Sequence, residues 1–182
     1  LPCETRFGDY PFCRELRHGV YSISISIGAL VAILRLSQKY GDNIFNERLV
    51  DYLPIDASHD GWEQVTFGDA LNMATGIGDT EPRQVTSYVE ENDGASARYI
   101  GEAFSTRRML ERVSELGDYK WGPGEVFRYR TFDTFVLSAA MDSYLKVREG
   151  EDPNLWQMVS QEVLEPLGIF DMPIRKRIER NS

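Results

Sequence analysis

The stretch from Ser22 to Tyr40 carries two incompatible periods. Its opening, Ser22-Ile23-Ser24-Ile25-Ser26-Ile27, alternates as a half-buried strand does, and isoleucine favours strands. Ile23, Ile27, Leu30 and Leu34 meanwhile recur at helical spacing, and Gly41 offers a C-cap. The continuation Ala29-Leu30-Val31-Ala32-Ile33-Leu34 decides for a helix. That helix is apolar on all sides, so it is expected to be buried.

Most of the remaining patterning is helical too. Thr66 is a good N-cap, with Asp69 in the capping-box position of a short helix ending near Gly76. Ser105 or Thr106 opens a helix through Met109, Leu110 and Val113 that stops at Gly117. Asp133 or Thr134 begins another, with Leu137, Ala140, Met141, Tyr144 and Leu145 on one face and Gly150 as its stop. Asp152-Pro153 reads as an N-cap and N1 pair for a helix carrying Leu155, Trp156, Met158, Val159 and Val163, ended by Pro166. Between Gly76 and Gly94 the chain is polar and reads as a loop with small elements. Gly76-Ile77-Gly78 and Gly122-Pro123-Gly124 are turn signals that lack the context of a phosphate-cradling loop. Trp62, Trp121 and Trp156 are expected in the core. The expected class is mainly α, one domain over residues 1–182.

Charge and composition exclude some functions. A net charge of −9 disfavours nucleic acid and anionic membrane as partners. The basic cluster Arg175-Lys176-Arg177 with Arg180 reads as a solvated tail. The longest apolar run, Ile27 to Leu34, falls short of the ~20 residues a membrane span requires. No secretory leader is visible, and the compartment stays open. Cys3 and Cys13 would close a short disulfide loop in an oxidising compartment and remain thiols in a reducing one. No metal or cofactor is expected. His18 and His59 lack a placeable third ligand, and the His59-Asp60 pair reads as surface loop rather than as partner to a serine.

Four segments, in order, carry a family resemblance. Tyr21-Ser22-Ile23-Ser24-Ile25-Ser26 resembles the Ser-x-x-Lys nucleophile motif of the β-lactamase-related serine hydrolases, which include penicillin-binding proteins, class C β-lactamase-like esterases and amide hydrolases. Asp51-Tyr52-Leu53-Pro54, with the run from Trp62 to Asp79, is similar to the family's next segment. Trp121-Gly122-Pro123-Gly124-Glu125-Val126-Phe127-Arg128-Tyr129-Arg130-Thr131 resembles the one holding its second catalytic element, and Val163-Leu164-Glu165-Pro166-Leu167-Gly168-Ile169 a later one. The resemblance implies the helical portion of the serine β-lactamase/penicillin-binding-protein-like fold, with most of the antiparallel sheet absent and the domain incomplete at both ends. An incomplete sheet in turn implies self-association through open edges.

By this resemblance Ser22 is the nucleophile and Tyr129 the tyrosine that shuttles a proton. Ile25 stands at the lysine position and Thr131 at the asparagine position. A serine hydroxyl needs a base to become a nucleophile, and isoleucine cannot take a proton. Lys39, the next lysine, lies several turns further along the same helix. The third family motif, Lys-Thr-Gly or His-x-Gly, has no counterpart here. The expectation is a catalytically impaired homologue. Two alternatives stand beside it: an active esterase or amidase using Ser22 and Tyr129 with a base from elsewhere, and a module that binds a small ester or amide without turnover.

Overall fold

The computed structural model describes residues 4–9, 22–55, 61–78, 105–114, 116–118 and 121–170. His18, His59, Cys3, Cys13, the stretch 79–94 and the basic cluster at 175–180 lie outside those residues. The described chain is mainly helical. Its strands are two short antiparallel pairs, β1 (Glu4–Thr5) with β2 (Gly8–Asp9) and β3 (Ile77–Gly78) with β4 (Gly117–Asp118).

The helical period wins at Ser22–Tyr40. A turn of α1 (Ile23–Ile25) passes through a π turn (Ser26–Leu30) into α2 (Val31–Tyr40), and Gly41 closes it at φ 96°. The helix is not buried all round. Ala29, Ala32, Ile33 and Leu36 face the core, while Ile23, Leu30 and Leu34 are 62%, 39% and 48% exposed. An apolar sequence on every face says only that each face tolerates burial; neighbours decide which faces receive it.

The capping box forms as expected. The Thr66 hydroxyl accepts from the Asp69 backbone N–H, and the Asp69 carboxylate accepts from that of Thr66, opening α3 (Phe67–Leu71). That helix stops at Asn72, short of Gly76. α4 (Thr106–Ser114) buries Met109, Leu110 and Val113, and ends before Gly117, which belongs to β4.

The longest helix, α5 (Thr131–Glu149), buries Phe132, Val136, Leu137, Ala140, Met141, Tyr144 and Leu145. It begins earlier than its sequence suggests. Arg130 is the N-cap residue, and Asp133 lies inside the first turn with its side chain fully buried. The next helix also has a different cap: Asn154, not Asp152, accepts from the Gln157 N–H at 2.9 Å and opens α6 (Leu155–Val159). A second π turn (Ser160–Leu164) and a 3₁₀ turn (Glu165–Leu167) carry the chain past Pro166 to Gly168, which ends the run in the left-handed region.

α2 and α5 run side by side in the same direction. The C-terminal end of α2 meets that of α5 through Tyr40 and Tyr144, whose ring centroids are 5.9 Å apart. Tyr52 and Phe67 complete this aromatic knot, lying 5.3 Å and 6.0 Å from Tyr144. The Arg148 guanidinium covers the Tyr144 ring at 3.4 Å. Each fully buried apolar side chain here contributes about 1.5–3 kcal/mol relative to exposure.

The two glycine-rich turns prove to be neighbours. Gly76 has φ +72°, and a Cβ there would sit 3.0 Å from the Gly122 carbonyl carbon, so glycine is required on both counts. Gly124 donates its N–H to the Ala74 carbonyl at 2.7 Å, and Arg128 to that of Met73 at 2.8 Å. This seam leads the segment before α5 to its starting point.

Candidate functional site

The start of the first helix, the first half of α5 and the start of α6 enclose an open cleft of about 600 Å³. Its size lies within the ~300–1,000 Å³ of small-molecule sites. Gly28, Ala29 and Ala32 form one wall, Phe135 and Ala139 the opposite one, and Leu155, Trp156 and Val159 the third. Small residues in the first helix create the space: a Cβ added at Gly28 would meet nothing within 4 Å. The π turn lies at this wall, a departure from regular winding that is common at functional sites.

Ile25 and Thr131 both line this cleft. Neither Ser22 nor Tyr129 is among the lining residues. Ser22 sits at the N-cap position of α1, exposed, with no side-chain capping hydrogen bond; its carbonyl accepts from the Ile25 N–H at 3.1 Å. Tyr129 is half-buried in the extended segment leading to α5.

The polar groups at the cleft are largely committed to helix structure. Asp142 accepts from the Leu155 N–H at 2.8 Å and pairs with Lys146 at 2.9 Å. Asn154 holds the α6 cap, and the Ser138 hydroxyl donates to the Thr134 carbonyl at 2.8 Å. Among the described residues no lysine, arginine or histidine lines the cleft. Lys39 faces elsewhere: it pairs with Glu149 at 2.6 Å and Glu162 at 2.9 Å. Burial works to lower the Lys39 pKa, but its hydrogen bonds to those carboxylates prevail and raise it. Such an amine is a poorer general base than an ordinary lysine.

Beneath the start of α5 lies a buried polar knot. The Arg130 guanidinium donates to Thr75 Oγ1 at 2.7 Å, to both Asp133 oxygens at 3.2 and 2.9 Å, and to the Ile77 carbonyl. The Thr75 hydroxyl donates to Asp133 Oδ1 at 3.1 Å. Burial pushes the Asp133 carboxyl up to about 6, and Arg130 and Thr75 pull against that rise. The knot ties the Thr75–Ile77 segment to the first turn of α5, and so fixes where Thr131 and Thr134 stand.

Sequence reasoning placed Ile25 and Thr131 through the family motif, and it missed Gly28, Phe135 and the place of Trp156 on the cleft. An isolated glycine inside an apolar helix was the available signal, since it commonly marks close approach or a space left open. Trp62 is core as expected, whereas Trp121 and Trp156 are only half-buried. Among the described residues no group of three or more His, Cys, Asp or Glu side chains could hold a metal ion, and no helix is long and apolar enough to cross a membrane. No protein-family model, no curated protein and no solved structure matches the chain.

Proposed function

We propose that the chain is a homologue of the β-lactamase-related serine hydrolases, carrying the helical portion of that fold, whose serine chemistry is impaired. One observation carries the reading: Ile25 and Thr131, at the motif's lysine and asparagine positions, line a single cleft although they are far apart in sequence. The motif requires these two positions to serve one site. Contact between the two glycine-rich segments adds support, since it brings the second and third resembling segments together.

In this reading the cleft lacks its base, and Ser22 and Tyr129 stand outside its lining. Ile25 presents methyl groups where an amine would take the serine proton, and Thr131 offers a hydroxyl where an amide would orient that amine. Losing a general base costs about 10²–10⁴-fold, and more where catalytic groups act as a unit.

The test is intact-mass and peptide mapping after exposure to a fluorophosphonate, with Ser22→Ala as control. A cooperatively folded sample should show no adduct on Ser22. A stoichiometric adduct there would overturn the impaired reading and favour an active esterase or amidase drawing its base from elsewhere.

A further inference from the structure

We infer that the outer face of the first helix is a self-association surface, on which a second copy of this chain docks through a seam of Ile23, Ile27, Leu30 and Leu34. None of these four is among the residues lining the cleft, so the inference goes beyond the reading proposed for the serine and does not depend on it. Steps of four, three and four separate them in the sequence. That is the d-a-d-a spacing by which one helix pairs with another of its kind, each side chain entering a hole between side chains of the partner. Ile23, Leu30 and Leu34 are exposed and Ile27 is half-exposed. The stripe is thus presented outward even though the π turn interrupts regular winding between Ser26 and Leu30.

Pattern and charge both favour a second copy as the occupant. The spacing is self-complementary, so one stripe satisfies both sides of a two-fold interface. Arg35 and Lys39 are the only charged residues between Ser22 and Tyr40. Both turn to carboxylates of their own chain: Arg35 to Glu162 at 2.7 Å, Lys39 to Glu162 at 2.9 Å and to Glu149 at 2.6 Å. Ser26 and Gln38 flank the seam without charge. A strongly charged partner therefore gains little from this helix, whereas two chains of net charge −9 can meet here without bringing helix charges together. The helix is already folded in the monomer, so pairing need not supply the cost of nucleating it. The seam is short, roughly 17 Å from Ile23 to Leu34 by the helical rise. Such a contact belongs at the small end of specific interfaces, so the dimer is weak and reversible.

Sedimentation velocity of the full chain across a concentration series tests this. The wild-type chain should pass from monomer near about 1 µM to dimer approaching about 1 mM, the regime of a small transient contact. In the monomer the seam faces water, so substitutions on it should leave the melt at low concentration nearly unchanged. Leu30→Glu should weaken the dimer by roughly tenfold or more, because like charges then lose water beside each other. Leu30→Lys should weaken it comparably. An equimolar mixture of the two variants should recover much of the association as a heterodimer, since the introduced charges now attract across the seam. Leu34→Glu keeps the test decisive should Leu30→Glu fold poorly.

A wild-type chain that stays monomeric to about 1 mM would overturn the proposal. So would a dimer indifferent to both glutamate variants, which would put the contact on another face. Binding of the monomer to phosphatidylcholine vesicles, lost in Leu30→Glu, would mean that a lipid surface covers this face, and would overturn it as well. A large fall in the melt of both glutamate variants at low concentration would mean that the chain covers the face itself, with the same consequence. Fluorophosphonate labelling of Ser22 touches none of these outcomes, so failure here is distinct from failure of the impaired-hydrolase reading.

Discussion

At the far end of the α2–α5 pair, Lys39 joins Glu149 and Glu162, Arg35 donates to Glu162 at 2.7 Å, and Tyr40 donates to Glu149. At the cleft end α1 and the π turn that lead into α2 present Ile25, Gly28 and Ala29, and α5 presents Thr131 and Phe135, to an open space. Charged groups fasten one end, and apolar surface and hydroxyls line the other. The contrast sets Lys39, held by two carboxylates, at the end of the helix remote from Ser22. It also separates two kinds of polar contact, the half-exposed network at the far end and the buried Arg130–Asp133–Thr75 knot at the start of α5.

The largest expected effect comes from breaking the buried knot. Asp133→Ala removes the carboxylate that pairs with the Arg130 guanidinium, itself 2% exposed. Removing one partner of a buried ion pair typically costs about 3–5 kcal/mol, and urea denaturation should show a loss of that order. A loss under about 1 kcal/mol would mean that water reaches the guanidinium and that the knot is not dry.

A middle-sized effect separates the two polar regions by pH. Hydrogen bonds from Lys39 and Tyr40 hold the Glu149 carboxyl below its ordinary 4.5. Burial works to raise Glu162, but hydrogen bonds from Lys39 and Arg35 prevail and lower it. Both depressed carboxyls contribute stability that is present above 4.5 and lost as pH falls through their folded-state values. Asp133 has the opposite sign: its ordinary 3.8 rises to about 6 on folding, so its protonation favours the folded state. Its contribution therefore increases as pH falls through that window. Lys39→Met, costing roughly 1 kcal/mol at neutral pH because the network is only half-buried, should flatten the acid loss below pH 4.5. Urea midpoints across the acid range check this; an acid limb unchanged in Lys39→Met would detach the network from it.

How much of this was legible in the residues varies by region. The α5 face, Leu137, Ala140, Met141, Tyr144 and Leu145, follows from helical spacing alone, as does the Thr66–Asp69 box, because both depend on near neighbours in sequence. The buried knot was not legible: its threonine and aspartate are separated by 58 positions, and Asp133 looks like a cap when read locally. The α6 cap differed for a related reason, since Asp152 and Asn154 are both good N-cap types and geometry chose the second. The cleft was half legible. Ile25 and Thr131 came from a motif, whereas the emptiness beside Gly28 depends on what α5 and α6 fail to fill.

The smallest expected effect bears on the outer face of the first helix. Ile23, Leu30 and Leu34 project away from the core at helical spacing, and Leu34 lies between the cleft end and the ion-paired end. Replacing an exposed residue with no buried partner usually changes stability by no more than about 0.5 kcal/mol, so Leu34→Ser should leave the urea midpoint nearly unmoved. Leu36→Ala, two positions along and fully buried, should instead cost about 2–5 kcal/mol. Measured together, the pair asks whether the helix is one-sided in solution. A cost above 1 kcal/mol for Leu34→Ser that grows with protein concentration would show that another copy covers the outer face. The helix would then be buried on both sides, as its composition suggested, with the second burial supplied between chains rather than within one.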